Sequence, residues 1–373
     1  MKTSFKIPYV NIAGGVRALK EEILEAAGRV LDHGQFVLGE EVSLFEQRFA
    51  EICGTRFAVA VNSGTDALIL ALRALEIGPG CEVITVPNSF IATTSAVRMV
   101  GARPVFVDVR EDYNMDPEGI EKSISSRTKA VLPVHLTGRP ADMGPILKIS
   151  QRHGLKVIED AAQAILAEYQ GQRVGSFGHA GCFSLHPLKT LSACGDGGVL
   201  TTNDESLYER AKILRNLGFK SRSECVAWSG NSRLDSLQAA ILLVKIKYIQ
   251  GWTEKRRSHA HLYQRALSGI SHLEVPSDRP FEKAVYHTFM ILADRRDELK
   301  GFLRERGVDT AIHYPIPIHL QEAARELGYG VGSFSTAESQ ARRVLSLPVY
   351  PELTEGELEY VSECIREFYR GPS

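Results

Sequence analysis

Short apolar segments alternate with longer amphipathic segments over the first half of the chain. Each apolar segment is rich in valine and isoleucine and is bounded by turn residues, a pattern typical of strands covered on both faces. The predicted strands are residues 57–61, 82–86, 104–107, 130–134, 156–158, 181–184 and 198–202. The predicted helices between them are residues 65–75, 91–100, 117–124 and 142–153. This alternation indicates βαβ crossovers and a mainly parallel sheet.

A different pattern follows in the second half. Helical apolar spacing continues over residues 234–267, which predicts one long helix, bent near Gly251 and Trp252. After it come predicted strands at 286–292 and 310–313 and predicted helices at 297–306 and 355–369. We therefore expect a large α/β domain over residues 1–250 and a smaller α+β domain over residues 251–373.

Composition and charge narrow the possible functions. A chain of 373 residues with 44% hydrophobic content can bury a large core, and its length favours two domains. The formal net charge of -1 gives no sign of a nucleic-acid or membrane partner. Six scattered cysteines form no metal-like spacing, and no segment has the character of a signal peptide or a membrane span. We expect a cytoplasmic protein without a bound metal.

Three separate segments carry candidate chemistry. Ser63, Gly64 and Thr65 lie between a predicted strand and a helix, where free N–H groups form an anion site. Asp160 lies at the carboxyl edge of the predicted sheet, where α/β folds place their sites. Lys189 lies in a loop of small residues between two predicted strands. The alternatives are an ordinary helix cap for the first two segments and a surface lysine for the third.

In combination these segments match the needs of pyridoxal 5′-phosphate (PLP). The helix start can bind the phosphate, and Ser184 can donate to it. Asp160 can keep the pyridine nitrogen protonated, which makes the ring an electron sink. Gln163 could reach the phenolic oxygen. Lys189 can form a Schiff base if it is partly desolvated.

The sequence also resembles a known family almost from end to end. The motifs that carry the resemblance include residues 63–68, 87–93, 135–143, 231–240, 313–319 and 345–351, together with the Asp160 and Lys189 segments. The chain is identified by them as a member of the DegT/DnrJ/EryC1/StrS sugar aminotransferases. The resemblance implies fold type I of the PLP-dependent transferases: an α/β fold with a mainly parallel seven-stranded sheet, helices on both faces and a smaller C-terminal α+β domain.

The resemblance also implies roles for single residues. Lys189 is the catalytic residue that carries the cofactor. The implied cofactor-binding set is Gly64, Thr65 and Ser184 at the phosphate, Phe90 stacked on the ring, Asp160 and Gln163 at its polar atoms, and Asn231. Asn231 is expected to reach the cofactor of the neighbouring subunit, so the resemblance implies a homodimer with shared active sites. Without the family, Asn231 would be interpreted as a helix cap and Phe90 as a core residue.

The substrate is indicated by weaker features. Thr137, Ile165 and His186 depart from the residues usual in the family, and His186, Tyr314 and His319 are candidates for contact with the sugar. Relatives that have histidine in place of the lysine are dehydratases, so Lys189 favours transamination. Asp196, in the Gly-Asp-Gly-Gly motif of residues 195–198, and Pro187 resemble members that aminate C3 of a 3-keto sugar.

We therefore expect an aminotransferase that converts a nucleotide-linked 3-keto-6-deoxyhexose with glutamate as the amino donor. Four alternatives remain at this point. The substrate could be a 4-keto nucleotide sugar, or an unactivated keto-sugar or keto-cyclitol. A lyase or desulfurase of the same fold should show a reactive cysteine in a loop. A non-catalytic PLP-binding regulator would not transaminate.

Overall fold

The strands of the central sheet have nearly the same bounds as those predicted from the sequence. A computed structural model describes residues 6–370 of the chain. Its strands are β1 (Phe57–Val61), β2 (Glu82–Thr85), β3 (Arg103–Phe106), β4 (Thr128–Val131), β5 (Lys156–Asp160), β6 (Glu168–Tyr169), β7 (Gln172–Arg173), β8 (Ala180–Ser184), β9 (Gly198–Thr202), β10 (Leu273–Glu274), β11 (Glu282–Lys283), β12 (Phe289–Ala293) and β13 (Val344–Leu347).

The helices cover both faces of the sheet and form much of the C-terminal third. They are α1 (Ile12–Arg17), α2 (Lys20–His33), α3 (Glu40–Cys53), α4 (Gly64–Ala74), α5 (Ile91–Met99), α6 (Met143–Arg152), α7 (Glu205–Arg215), α8 (Ser236–Lys245), α9 (Ile249–Leu267), α10 (Arg296–Glu305), α11 (Ser335–Arg343) and α12 (Glu355–Arg370). Short 3₁₀ turns connect some of them.

The central sheet has seven strands in the order β1-β9-β8-β5-β4-β2-β3. Only β9 runs antiparallel to its neighbours, with Gly198 opposite both Val61 and Ser184. The remaining pairs are parallel and are connected by helical crossovers, as in other α/β folds. The predicted fold class, a mainly parallel seven-stranded sheet, is confirmed.

Apolar residues on the two faces of the sheet belong to different cores. Val59 and Val61 pack in one cluster, while Ala58 and Ala60 pack in another with α3. This follows from strand geometry, because successive side chains point to opposite faces. Burial on both faces explains why the strands are almost continuously apolar.

A separate core lies around the C-terminal elements. It includes Tyr263 of α9, Phe289 of β12 and Ile365 of α12, and the N-terminal Ile7 also packs into it. Strands β10, β12 and β13 form a small antiparallel sheet there. A division of the chain at residue 250 remains our proposal. Within residues 6–370, no helix combines the length and the apolar character needed to cross a membrane.

Three predicted elements differ in the structure. The long helix predicted over residues 234–267 is two helices, α8 and α9, and the break falls at residues 246–248 rather than at Gly251. The predicted strand at 310–313 is a single bridge between Ala311 and Ser346. The predicted helix at 117–124 is a pair of short 3₁₀ turns.

Candidate active site

The N-terminus of α4 lies against the ends of two strands. Ser63 caps the helix, since its side-chain oxygen accepts a hydrogen bond from the Asp66 N–H at 3.0 Å. A Cβ on Gly64 would lie 2.7 Å from the Cβ of Ser184, and one on Gly198 would lie 2.3 Å from the carbonyl carbon of Ser63. Only glycines allow this close approach, which places Thr65 and Ser184 at the same helix N-terminus. The free N–H groups of such a helix N-terminus can bind an anion such as phosphate.

Asp160 lies at the carboxyl end of β5 and is 5% exposed. One carboxylate oxygen accepts a hydrogen bond from the Thr93 hydroxyl at 2.7 Å, and the other accepts from the Ala162 N–H at 3.2 Å. Burial raises the pKa of this carboxyl, while the bonds from Thr93 and Ala162 and the charge of Lys189 oppose the rise. A cation beside Asp160 would favour its ionised form. A protonated pyridine nitrogen is such a cation, so this position fits the PLP ring.

The neighbouring carboxylate, Glu159, has a different role. It is fully buried and accepts hydrogen bonds from the backbone N–H groups of Gly175, Phe177 and Gly178 at 2.7–2.8 Å. Its Oε2 also lies 3.0 Å from Nε2 of His135. Successive strand residues point to opposite faces of the sheet, so Glu159 and Asp160 have different partners. Glu159 holds the loop before β8 through its hydrogen bonds, whereas Asp160 faces Thr93.

Lys189 lies in the loop between β8 and β9, where its N–H donates to the carbonyl of His186 at 2.8 Å. Burial lowers the pKa of the Lys189 amine to about 8, and the negative charge of Asp160 opposes that change. The free amine is therefore far more abundant near neutral pH than on a surface lysine. This property suits an amine that must attack an aldehyde.

Polar and aromatic side chains surround the space between Lys189 and Asp160. Oε1 of Gln163 accepts a hydrogen bond from the Thr137 N–H at 2.7 Å. Gln163 also lies near the Tyr314 hydroxyl, where it opposes the rise in pKa that burial causes. Phe90 precedes α5 and is 54% exposed, with its ring 5.7 Å from that of Tyr314. An exposed aromatic ring beside buried polar groups offers a stacking surface for a planar cofactor.

The remaining candidates lie in different environments. His186 is exposed in the Lys189 loop, and its Nδ1 accepts from the Leu188 N–H at 3.3 Å. His319 is 2% exposed, with Nε2 3.1 Å from Glu338 and its ring packed on Phe334. In this arrangement His319 offers almost no surface to a ligand, and the substrate role expected for it stays a prediction.

Asn231 is exposed and lies close to the start of α4. Its backbone carbonyl accepts from the Asn62 side chain at 3.5 Å, and the Asn62 N–H donates to the Ser232 carbonyl at 3.0 Å. Its side-chain oxygen accepts only a long bond from the Arg233 N–H, at 3.4 Å. Its amide is therefore accessible on the surface of the single chain.

Some residues near Lys189 were missed in the sequence. Thr93 lies three positions after Phe90, but nothing local indicated its bond to Asp160. His287 and His313 come from the C-terminal third. Burial, together with the charge of Lys189, lowers the pKa of His313 to about 4 and that of His287 well below its usual value. Both are therefore neutral histidines beside the amine.

The fold and this site define a PLP-dependent enzyme of the α/β type. Residues 17–366 match the model of the DegT/DnrJ/EryC1/StrS aminotransferase family, and the chain belongs to this family. The family uses PLP, and the chain is a sugar aminotransferase. This confirms the family, the cofactor and the class of enzyme that the sequence motifs indicated.

Several known proteins are similar to this chain over nearly the full length of both chains. The UDP-N-acetyl-3-dehydro-alpha-D-glucosamine 3-aminotransferase of Acidithiobacillus ferrooxidans is 44% identical over 100% of both chains. The dTDP-3-amino-3,4,6-trideoxy-alpha-D-glucose transaminase of Streptomyces venezuelae is 43% identical, over 97% of this chain and 96% of the relative. The crystal structure of S. venezuelae DesV is 42% identical, with a TM-score of 0.96 and coverage of 98% of this chain and 99% of that one.

Proposed function

We propose that this aminotransferase converts a nucleotide-linked 3-keto-6-deoxyhexose to the 3-amino sugar, with glutamate as the amino donor. The chemistry rests on one observation: the Lys189 amine, of lowered pKa, lies in the same site as the buried Asp160 carboxylate. The position on the sugar is supported by the relatives, since the Acidithiobacillus and Streptomyces enzymes are both named for nitrogen at C3. Asp196, in the loop after Lys189, agrees with that position.

The side chains of the site would have two roles, cofactor binding and proton transfer. PLP, when bound, supplies an electron sink for the carbon that loses a proton. Gly64, Thr65 and Ser184 would hold the phosphate, and Asp160 would keep the ring nitrogen charged. The Lys189 amine would take the proton from one carbon and return it to another as a general base and acid. A base with a pKa of about 8 is well matched to that task near neutral pH.

We also propose that the enzyme works as a homodimer whose subunits share active sites. Phe36, Val37 and Trp228 are large apolar residues that are 45%, 55% and 92% exposed. Val37 pairs with Asp235 at the start of α8, so this apolar surface lies near Asn231 in the chain. A second copy that covered it would bring the accessible amide of Asn231 to an interface.

A second substrate is favoured by one observation. The Acidithiobacillus relative has the higher identity of the two, and its name describes a UDP-linked 3-keto sugar with an N-acetyl group. This substrate shares the 3-keto position but differs in the nucleotide and at two carbons of the ring. The candidate pocket residues His186 and Tyr314 do not distinguish the two sugars.

Paired substrates test the proposal. Purified enzyme with glutamate would receive dTDP-linked 3-keto and 4-keto 6-deoxyhexoses and the UDP-linked N-acetyl 3-keto sugar, and products would be identified by mass and NMR. We expect amination of the dTDP-linked 3-keto sugar. Amination of the 4-keto sugar alone would refute the position, and a preference for the UDP sugar would select the second candidate. Replacement of glutamate by other amino acids tests the donor.

A further inference from the structure

Arg256 in α9 is a buried arginine without a carboxylate partner. It is 8% exposed, and its Nη1 donates to the backbone carbonyls of His287 at 3.2 Å and Val349 at 2.9 Å. Its Nε is buried and has no hydrogen-bond partner. A guanidinium carries five N–H donors, so two carbonyls leave much of its capacity unused. A buried charge is costly unless it is paired.

The other buried arginines are paired. Residues 6–370 contain four buried arginines, and three of them form ion pairs: Arg139 with Glu282 at 3.0 Å, Arg215 with Glu46, and Arg296 with Asp297 at 2.7 Å. Arg256 has no such pair within this part of the chain. Burial lowers the pKa of Arg256 to about 10, and the negative charge of Glu352 opposes that change. Unlike the other three, Arg256 therefore has no carboxylate within ion-pair distance in residues 6–370.

The position of Arg256 connects it to the active site. It lines one small pocket together with Lys189, Lys245 and Glu352. The Lys245 amine is already used, because it donates to the Ser192 carbonyl at 2.7 Å. Glu352 faces the pocket but forms no ion pair with Arg256. Apart from Lys189 itself, Arg256 is the cation on this wall with an unused donor.

We propose that Arg256 binds a carboxylate of the amino-donor amino acid in the pocket that it shares with Lys189. The inference rests on the proposed function. In an amino acid the α-carboxylate is attached to the same carbon as the reacting nitrogen, so a group that binds it must lie near the catalytic lysine. The 3-keto carbon of a neutral sugar ring has no charge attached to it. The sugar's diphosphate lies at the far end of the molecule and is linked to a bulky nucleoside, which a small pocket cannot hold.

This assignment gives Arg256 a role in substrate choice. Both substrates must react at the same amine in turn, yet only the donor carries a charge next to its reacting carbon. An arginine with a free donor would strengthen binding of the donor and contribute little to binding of the sugar ring. Arg256 therefore contributes to the half-reaction with the amino donor only, whereas Lys189 takes part in both half-reactions.

The test compares variants at two adjacent arginines. Arg256→Gln removes the charge and Arg256→Lys keeps it. Arg257→Gln is the matched control, because Arg257 lies on the same helix and is paired with Asp278 at 3.4 Å. The donor half-reaction is followed by the absorbance change of the holoenzyme with L-glutamate. The sugar half-reaction is followed from the aminated enzyme with the keto sugar. Calorimetry with glutarate, an unreactive dicarboxylate, measures carboxylate binding directly.

We expect Arg256→Gln to raise the half-saturating glutamate concentration and the glutarate Kd roughly 10- to 100-fold, the cost of a lost charged hydrogen bond. The sugar half-reaction should change by about twofold or less. Arg256→Lys should recover part of the loss, and Arg257→Gln should resemble the wild type.

Two results would overturn the inference. If both half-reactions fell together with the melting temperature, Arg256 would only hold the carbonyls of His287 and Val349. If the sugar half-reaction alone were weakened, the bound anion would be the diphosphate. Failure of the proposed function looks different: wild-type enzyme would aminate none of the keto sugars, while glutarate would still bind and would still depend on Arg256.

Discussion

At the scale of single residues, the site depends on the environment of one amine. The pKa of Lys189 is lowered to about 8 because burial disfavours the charged form, and Asp160 prevents a larger change. The two groups therefore adjust each other: the carboxylate keeps the amine usable as an acid, and burial keeps it usable as a base. This balance is what a lysine needs to carry a cofactor and also to move protons.

Replacement of Lys189 should separate its covalent role from the rest of the site. We predict that Lys189→Ala abolishes turnover while the variant still binds PLP through the α4 N-terminus and Asp160. Borohydride should fix the cofactor of the wild type to the peptide that contains Lys189, as peptide mass spectrometry would show. Lys212→Ala, a change at a salt-bridged lysine of α7, serves as the control. Labelling at any other lysine would contradict the assignment.

The lowered pKa of Lys189 also predicts a pH dependence. In enzyme stripped of cofactor, the free amine forms as pH rises through about 8, so the rate of covalent PLP capture should rise through that pH and then level off. Below it the amine is protonated and capture should slow about tenfold per pH unit. Stopped-flow absorbance at a series of pH values measures this. A midpoint near the usual lysine pKa would show that Lys189 is not desolvated in solution.

At the scale of elements, the site is formed where α4 meets β8 and β9. The helix start can approach the strand ends because Gly64 and Gly198 have no side chains, and the distances of 2.7 and 2.3 Å leave no room for a Cβ. The helix N-terminus is therefore fixed relative to Lys189, which follows β8. The proposed phosphate binding and Schiff-base chemistry would be linked through this packing.

A single methyl group tests that link. Gly64→Ala should push α4 away from Ser184, destabilise the protein by about 1–3 kcal/mol, and weaken PLP binding at least tenfold. Thermal melts and cofactor titration measure the two effects. The control is Gly28→Ala in α2, where an added Cβ meets nothing within 4 Å. That change should be neutral or stabilise by about 0.5–1 kcal/mol. Equal behaviour of the two variants would argue against the close approach.

The elements also show where local patterns are insufficient. Residues 246–248 contain neither glycine nor proline, so the apolar spacing predicts an unbroken helix. The break between α8 and α9 exists because the two helices have different partners: α8 packs on α2 and α3, and α9 packs on α12. Similarly, residues 310–313 are β-prone, but only Ala311 pairs with β13. In both cases tertiary packing overrides the local preference.

At the scale of the whole molecule, the proposed shared site requires two chains. Asn231 is exposed, and so is Trp228, three positions before it, while the exposed Val37 pairs with Asp235, four positions after it. The Asn231 side-chain amide has little to bind within one chain. A composite site would make activity depend on assembly and on protein concentration.

Complementation between inactive chains tests this proposal. If Asn231 serves the partner's cofactor, Lys189→Ala chains mixed with Asn231→Ala chains should form heterodimers with one intact site of the two, and recover activity above either parent. Rates after unfolding and refolding the mixture measure this, and native mass spectrometry counts the heterodimers. If heterodimers form but show no gain in activity, Asn231 does not serve the partner's site. It would then belong to the site of its own chain, next to Asn62.

The sequence by itself determined the framework: the mainly parallel sheet, the helix start next to Thr65, and the motifs that contain Asp160 and Lys189. These features are local, because strand periodicity, turn residues and family motifs are each contained in a short segment. The sequence did not indicate the bond between Thr93 and Asp160, the neutral His287 and His313, the burial of His319 or the unpaired Arg256. Burial, pairing and pKa depend on residues that are distant along the chain, so only the tertiary structure could decide them.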